Sequence, residues 1–168
     1  MEPLGIKKYP DSVLRKKCAQ VEEITDKEVK LFEEMLFTMR YFAGIGLAAP
    51  QIGIAKNLIV VDMGEGAIRL ANPVILKTKG LGKRWEEGCL SIPGIGVTIN
   101  RPEEVIVSGL NEKGKVVELE ARRLLARVLQ HEIDHLQGKL IIDYLGLLEK
   151  MMLFKPKFWK TKDKHVNL

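Results

Sequence analysis

Apolar residues at Val29, Phe32, Met35, Leu36 and Met39 recur at the three- and four-residue spacing of a helix, with charged residues between them. The spacing predicts a helix with one face turned inward. Thr25 and Glu28 signal its start as a Thr-x-x-Glu capping box, with Ile24 and Val29 placed as a hydrophobic staple, and Gly44 is expected to end it. The pattern then changes. Leu58-Ile59-Val60-Val61 is a short β-rich run, a turn is expected around Gly64-Glu65-Gly66, and a second run spans Ile68 to Leu76. Pro73 lacks a backbone N–H and so places that run at an edge or a bulge. Glu104 to Leu110 and Lys115 to Glu120 flank Asn111-Glu112-Lys113-Gly114 and read as an antiparallel hairpin. Helical periodicity returns from Arg122 to Gln137, with Leu124, Leu125, Val128, Leu129 and Leu136 apolar and Gly138 placed as a terminator. Leu140-Ile141-Ile142 reads as a short strand, and Leu145, Leu148 and Met152 line a short third helix that must stop before Pro156. The order helix, strands, helix predicts an α+β fold of mainly antiparallel sheets packed around a central helix, with an N-terminal and a short C-terminal helix.

Length and composition narrow the classes. A chain of 168 residues with 46% apolar content can build one hydrophobic core, and no linker or repeat divides it, so a single domain over 1–168 is expected. The apolar stretches are broken by Gly, Pro or charge well short of a membrane span, which predicts no membrane partner. The opening Met1-Glu2-Pro3-Leu4-Gly5 lacks the basic and apolar regions of a secretory signal, so a cytoplasmic location is expected. Cys18 and Cys89 have no framework spacing, which fits a reducing compartment. The net charge of +5 is concentrated late: Lys150, Lys155, Lys157, Lys160, Lys162 and Lys164 face only Asp163 within 150–168. Such a basic tail permits a nucleic-acid-rich partner, although a solvated terminus is the plainer reading.

Chemistry is signalled most strongly by His131-Glu132-Ile133-Asp134-His135 inside the second long helix. Residues four apart project from one face, so both imidazoles can reach a single metal ion. Glu132 lies next to a ligand but about 100° around the helix, where its carboxylate can serve as a base without binding the ion. A catalytic site normally has three protein ligands and an open position. His165 in the basic tail and Glu149 on the short third helix are downstream options. Cys89, within Glu86-Glu87-Gly88-Cys89-Leu90-Ser91, is the stronger one, because a thiolate binds soft and borderline metals well. Cys18, with no partner motif, reads as an ordinary buried cysteine.

Three segments in order make the chain resemble the peptide deformylases. These are Gly44-Ile45-Gly46-Leu47-Ala48-Ala49-Pro50-Gln51, Glu87-Gly88-Cys89-Leu90-Ser91 and Gln130-His131-Glu132-Ile133-Asp134-His135-Leu136, and the likeness reaches from Tyr9-Pro10 to Asp143. It implies a metal held by Cys89, His131 and His135, with Glu132 as general base. It implies the side-chain amide of Gln51 and the backbone N–H of Leu90 as oxyanion donors. The ion implied is one divalent metal, natively Fe²⁺, with Zn²⁺, Ni²⁺ or Co²⁺ also suited to the ligands. The implied reaction is removal of the formyl group from N-formyl-methionyl peptides in the cytoplasm, with transient ribosome contact through the basic tail and no DNA partner. The substrate is expected to lie as an added strand beside Ile45, Gly46, Gly88 and Leu90, with Leu124 and Val128 as walls of the methionine pocket.

Two features depart from the family pattern. Family members often carry a glycine before the Leu-Leu-Ala of the metal helix, where this chain has Arg122-Arg123 before Leu124-Leu125-Ala126, and Trp85 is unusually large ahead of the second segment. Both bear on side-chain preference and rate. The competing readings are an HExxH metallopeptidase, which needs a downstream third ligand, and a basic RNA-binding module using Phe158 and Trp159 as stacking groups.

Overall fold

The structure, a computed structural model, describes residues 1–153. Helix α1, Asp26–Tyr41, begins where the capping box predicts, with the Glu28 carboxylate accepting the Thr25 backbone N–H at 3.1 Å. Phe32, Met35, Leu36 and Met39 are buried, whereas Val29 is about one-third exposed, at 37%. The helix ends one residue earlier than the glycine suggests. Ala43 takes the left-handed conformation at φ 54, and its N–H and that of Gly44 return to the Arg40 and Met39 carbonyls at 3.0 and 2.9 Å. This is a Schellman closure with alanine at the position that glycine usually fills.

The strands are β1 (Gly46–Ala48), β2 (Leu58–Val61), β3 (Ile68–Lys79), β4 (Lys83–Cys89), β5 (Ile92–Arg101), β6 (Glu104–Leu110) and β7 (Val116–Arg122). They form a five-stranded sheet in the order β1-β2-β3-β6-β7 and a separate two-stranded sheet β4-β5, with antiparallel pairing throughout. β6 and β7 are the predicted hairpin. β3 is longer than expected and central rather than an edge, and Pro73 is accommodated by a register shift between Ala71 and Val74. Alternation divides the five-stranded sheet between two helices. Leu58 and Val60 pack with α1, while Ile59 and Val61 pack with Ala126, Val128, Leu129 and Leu136. These last four lie on helix α2, Arg123–Leu136, so the sheet is sandwiched between α1 and α2.

The β4-β5 hairpin has no counterpart in the sequence reading, because β4 is exposed at most positions and shows no apolar alternation. Its partner β5 supplies Ile92, Val97 and Ile99 to a third cluster with Leu14, Leu140, Ile141 and Ile142. The expected strand at Leu140–Ile142 is instead part of a 3-10 turn over Ile141–Tyr144. Asp143 decides this: its carboxylate accepts the Leu140 N–H at 2.8 Å and its own N–H donates to the Leu140 carbonyl at 2.9 Å. Helix α3 spans Leu147–Leu153, and the stop expected before Pro156 lies outside the described residues. Phe158, Trp159, His165 and the lysines after Lys150 lie outside the described residues.

Candidate metal centre

Glu132 of helix α2 faces Gly46 of β1, and His131 and His135 project on the side that faces β4. Cys89 reaches that side from the end of β4, where the β4-β5 register shifts between Glu87 and Cys89. The Cys89 Sγ lies 3.3 Å from His135 Nε2. Among the described residues, Cys89, His131 and His135 form a group whose ligand atoms all fall within 4.8 Å of one another. Zinc–sulfur and zinc–nitrogen bonds at a tetrahedral angle separate S from N by about 3.5 Å. The donor set therefore fits one small divalent cation.

Glu87 orients the His131 ring. Its Oε2 is 3.0 Å from His131 Nδ1, and a carboxylate can only accept, so the proton sits on Nδ1 and the Nε2 lone pair is left for a cation. The same carboxylate accepts from Arg101 Nε and Nη2 at 2.7 and 3.0 Å and from Arg127 Nη1 at 2.6 Å. Arg101 Nη1 continues to Asp134 at 2.8 Å, and the Tyr144 hydroxyl donates to the same Asp134 oxygen at 2.7 Å. Sequence reading assigned no role to Glu87, Arg101 or Arg127. A signal was present, since Arg127 stands four residues before His131 on the same helix face.

Burial would raise the Glu87 carboxyl, but hydrogen bonds from His131 and Arg101 hold it at about 2, below its ordinary 4.5. A carboxyl depressed in the folded state stabilises the fold above its unfolded value, and that contribution is lost as pH falls through the folded one. Glu87→Gln is expected to cost about 3–5 kcal/mol near neutral pH, because it leaves buried arginines without their counter-charge. Denaturant titrations of both proteins should show the deficit shrinking between pH 4.5 and about 2. A deficit independent of pH would contradict this.

Glu132 is only 3% exposed, and its Oε2 is buried with no hydrogen-bond partner. Burial pushes its carboxyl up to about 7. Gly46 permits this placement: a Cβ there would stand 2.3 Å from Glu132 Oε1 and 2.8 Å from Val128 Cγ1. His135 is buried and held well below the usual histidine value by desolvation. Burial would lower His131 too, but hydrogen bonds to Cys89 and Glu87 raise it to about 10. A cation held through His131 would have to displace that proton, so its binding would weaken as pH falls.

Gln51 lies in the 3-10 turn Ala49–Ile52. Its Oε1 accepts the Ala48 N–H at 2.8 Å, which turns its amide nitrogen toward Cys89 Sγ at 3.6 Å and Ser91 Oγ at 3.4 Å. Leu90 follows Cys89 directly. A groove of about 470 Å³ opens beside these groups, lined by Ile45, Gly46, Gly88, Leu90, Leu124 and Val128 and narrowed by Trp85. Leu124 is exposed in it, whereas Val128 is 6% exposed and shared with the core. Gly88 needs no special backbone angle, and a Cβ there would meet open space, so its missing side chain widens the groove. β1 is an edge strand of its sheet. Arg123 takes φ 53 at the start of α2, where glycine is unstrained and a side chain costs about 1 kcal/mol. Glu149, the downstream alternative ligand, accepts the Gly146 N–H at 2.7 Å and is absent from the ligand group.

The sequence model of the family described as Polypeptide deformylase matches residues 3–151. A peptide deformylase of Hydrogenovibrio crunogenus is 48% identical over 170 residues, covering 99% of each chain. One of Thermodesulfovibrio yellowstonii is 51% identical over 167 residues, covering 96% of this chain and 99% of that one. The crystal structure of a peptide deformylase from Synechococcus elongatus in complex with actinonin superposes with a TM-score of 0.87 at 44% identity, covering 94% of this chain and 88% of that chain.

Proposed function

This chain belongs to the peptide deformylase family, and on that premise we propose that Cys89, His131 and His135 hold its divalent cation while Glu132 moves the proton. The family removes the N-formyl group from nascent peptides by metal-dependent hydrolysis, and that is the activity of this chain. The observation that supports the residue assignment best is the unpartnered Glu132 Oε2, a buried carboxylate oxygen beside two ligating histidines. A buried unpaired oxygen costs stability, and a role in the reaction accounts for its being kept.

A cation held by Cys89, His131 and His135 would supply Lewis acidity and make a nearby water easier to deprotonate. Glu132 then accepts the proton of the attacking water and returns it to the leaving amine. The Gln51 amide and the Leu90 N–H donate to the oxygen that gains charge as the formyl carbon becomes tetrahedral. The peptide lies along β1 with Ile45 and Gly46 on one side and Gly88 and Leu90 on the other. Leu124 and Val128 wall the methionine side chain, and Trp85 and Arg123 shape the mouth.

Fe²⁺ is the proposed native ion, with Zn²⁺, Ni²⁺ and Co²⁺ suited to the same thiolate and imidazoles. The whole chain acts as one catalytic domain. No helix among the described residues is long and apolar enough to cross a membrane, and the proposed location is the cytoplasm. The lysine-rich residues 150–168 make transient ribosome contact by charge, a binding that should weaken steeply with salt. The test is oxygen-free purification, a count of bound metal, and formate release from a formyl-methionyl peptide before and after chelation. One ion per chain, loss of formate release on chelation and its return with Fe²⁺ are expected. Formate release by the metal-free chain, or none by the loaded chain, would overturn the reading.

A further inference from the structure

Three consecutive residues near the start of the chain bind both segments that carry the oxyanion donors. The Lys7 N–H donates to the Gln51 carbonyl at 2.7 Å, and the Tyr9 N–H donates to the Ser91 carbonyl at 2.9 Å. Between them, the Lys8 ammonium donates to the Leu90 carbonyl. Sheet pairing does not fix the spacing of these segments. Gln51 follows β1 of the five-stranded sheet, whereas Leu90 sits in the connection of the separate β4-β5 sheet. The side-chain contact from Gln51 Nε2 to Ser91 Oγ is long, at 3.4 Å. The N-terminal segment is therefore a clasp across the site, to which Lys7 and Tyr9 contribute backbone hydrogen bonds and Lys8 a side-chain one. An exposed lysine ordinarily keeps its ammonium in water; this one is directed at a carbonyl one peptide away from an expected donor.

We propose that Lys8 is a positioning residue for the hydrolysis. By holding the Leu90 carbonyl it fixes the rotation of the Leu90–Ser91 peptide, so that the preceding peptide keeps its N–H aimed where the oxyanion forms. Lys8 does not line the groove beside Cys89 and Glu132, and it acts through the Leu90 carbonyl. The inference rests on the reading of Leu90 as a donor. Donors of this kind contribute because they are aligned before charge develops, and deleting one costs on the order of 10²–10³ in kcat. Loosening one should cost less, about tenfold.

The experiment uses the full metal-loaded chain with Lys8→Met and Lys8→Arg. Lys8→Met should lower kcat about tenfold with KM within about twofold, the pattern of an interaction made only in the transition state. Metal content and Tm should match the parent, the Leu90 amide should exchange its hydrogen faster, and Lys8→Arg, which keeps charge and donors, should restore most of kcat. Unchanged kcat and unchanged Leu90 exchange in Lys8→Met would overturn the proposal. So would a kcat loss accompanied by lost metal and a lower Tm. Amide exchange is read without substrate, so it judges the clasp even if the loaded parent releases no formate, the result that would instead sink the deformylase assignment of the site.

Discussion

Glu132→Gln is expected to lower formate release by about 10²–10⁴-fold while one cation per chain stays bound, the range that a lost general base ordinarily costs. Glutamine keeps the shape of the side chain and removes its basicity. Glu132 follows His131, a proposed ligand, but is rotated from it on the helix, so the proposed ligand set should survive the change. Its carboxyl stands at about 7 through burial, close to the pH at which a base can both take and return a proton. The space it occupies exists because residue 46 has no side chain. Metal count and kcat measured on one preparation decide the matter, and near-normal formate release from the variant would remove Glu132 from the mechanism.

Cys89→Ala is expected to weaken cation binding by more than about 100-fold and to abolish turnover at stoichiometric metal. Disturbing even an outer partner of a metal ligand costs 10–100-fold, so deleting a ligand should exceed it. The two remaining imidazoles cannot complete the three-ligand set that a catalytic site requires. A metallopeptidase arrangement predicts the opposite, with metal retained through a downstream residue. Glu149 is engaged with the Gly146 N–H on another helix, which argues against that arrangement. Equilibrium dialysis of parent and variant against a metal buffer separates the two outcomes.

The sequence was most legible where chemistry or periodicity is local. The capping box at Thr25, the β6-β7 hairpin and the helix bearing His131 and His135 all follow from short-range patterns, and Cys89, which the resemblance pointed to, does group with the two histidines. Non-local contacts were not legible. The burial of Glu87 among Arg101, Arg127 and His131 depends on three elements meeting, and nothing within Glu86-Glu87-Gly88 distinguishes its buried carboxylate from its exposed neighbour. The Leu140–Ile142 run read as a strand because its apolar content is ambiguous in period, and a single carboxylate, Asp143, decided the turn. The glycine that family members often carry before Leu-Leu-Ala gains a reason from the left-handed φ at Arg123, which no sequence pattern discloses.

X-ray absorption on the chain loaded with one equivalent of zinc tests the convergence of thiolate and imidazoles most directly. One sulfur at about 2.3 Å and two imidazole nitrogens at about 2.0–2.1 Å are predicted, with one further light donor. A shell of nitrogen and oxygen alone, with no sulfur, would contradict the account.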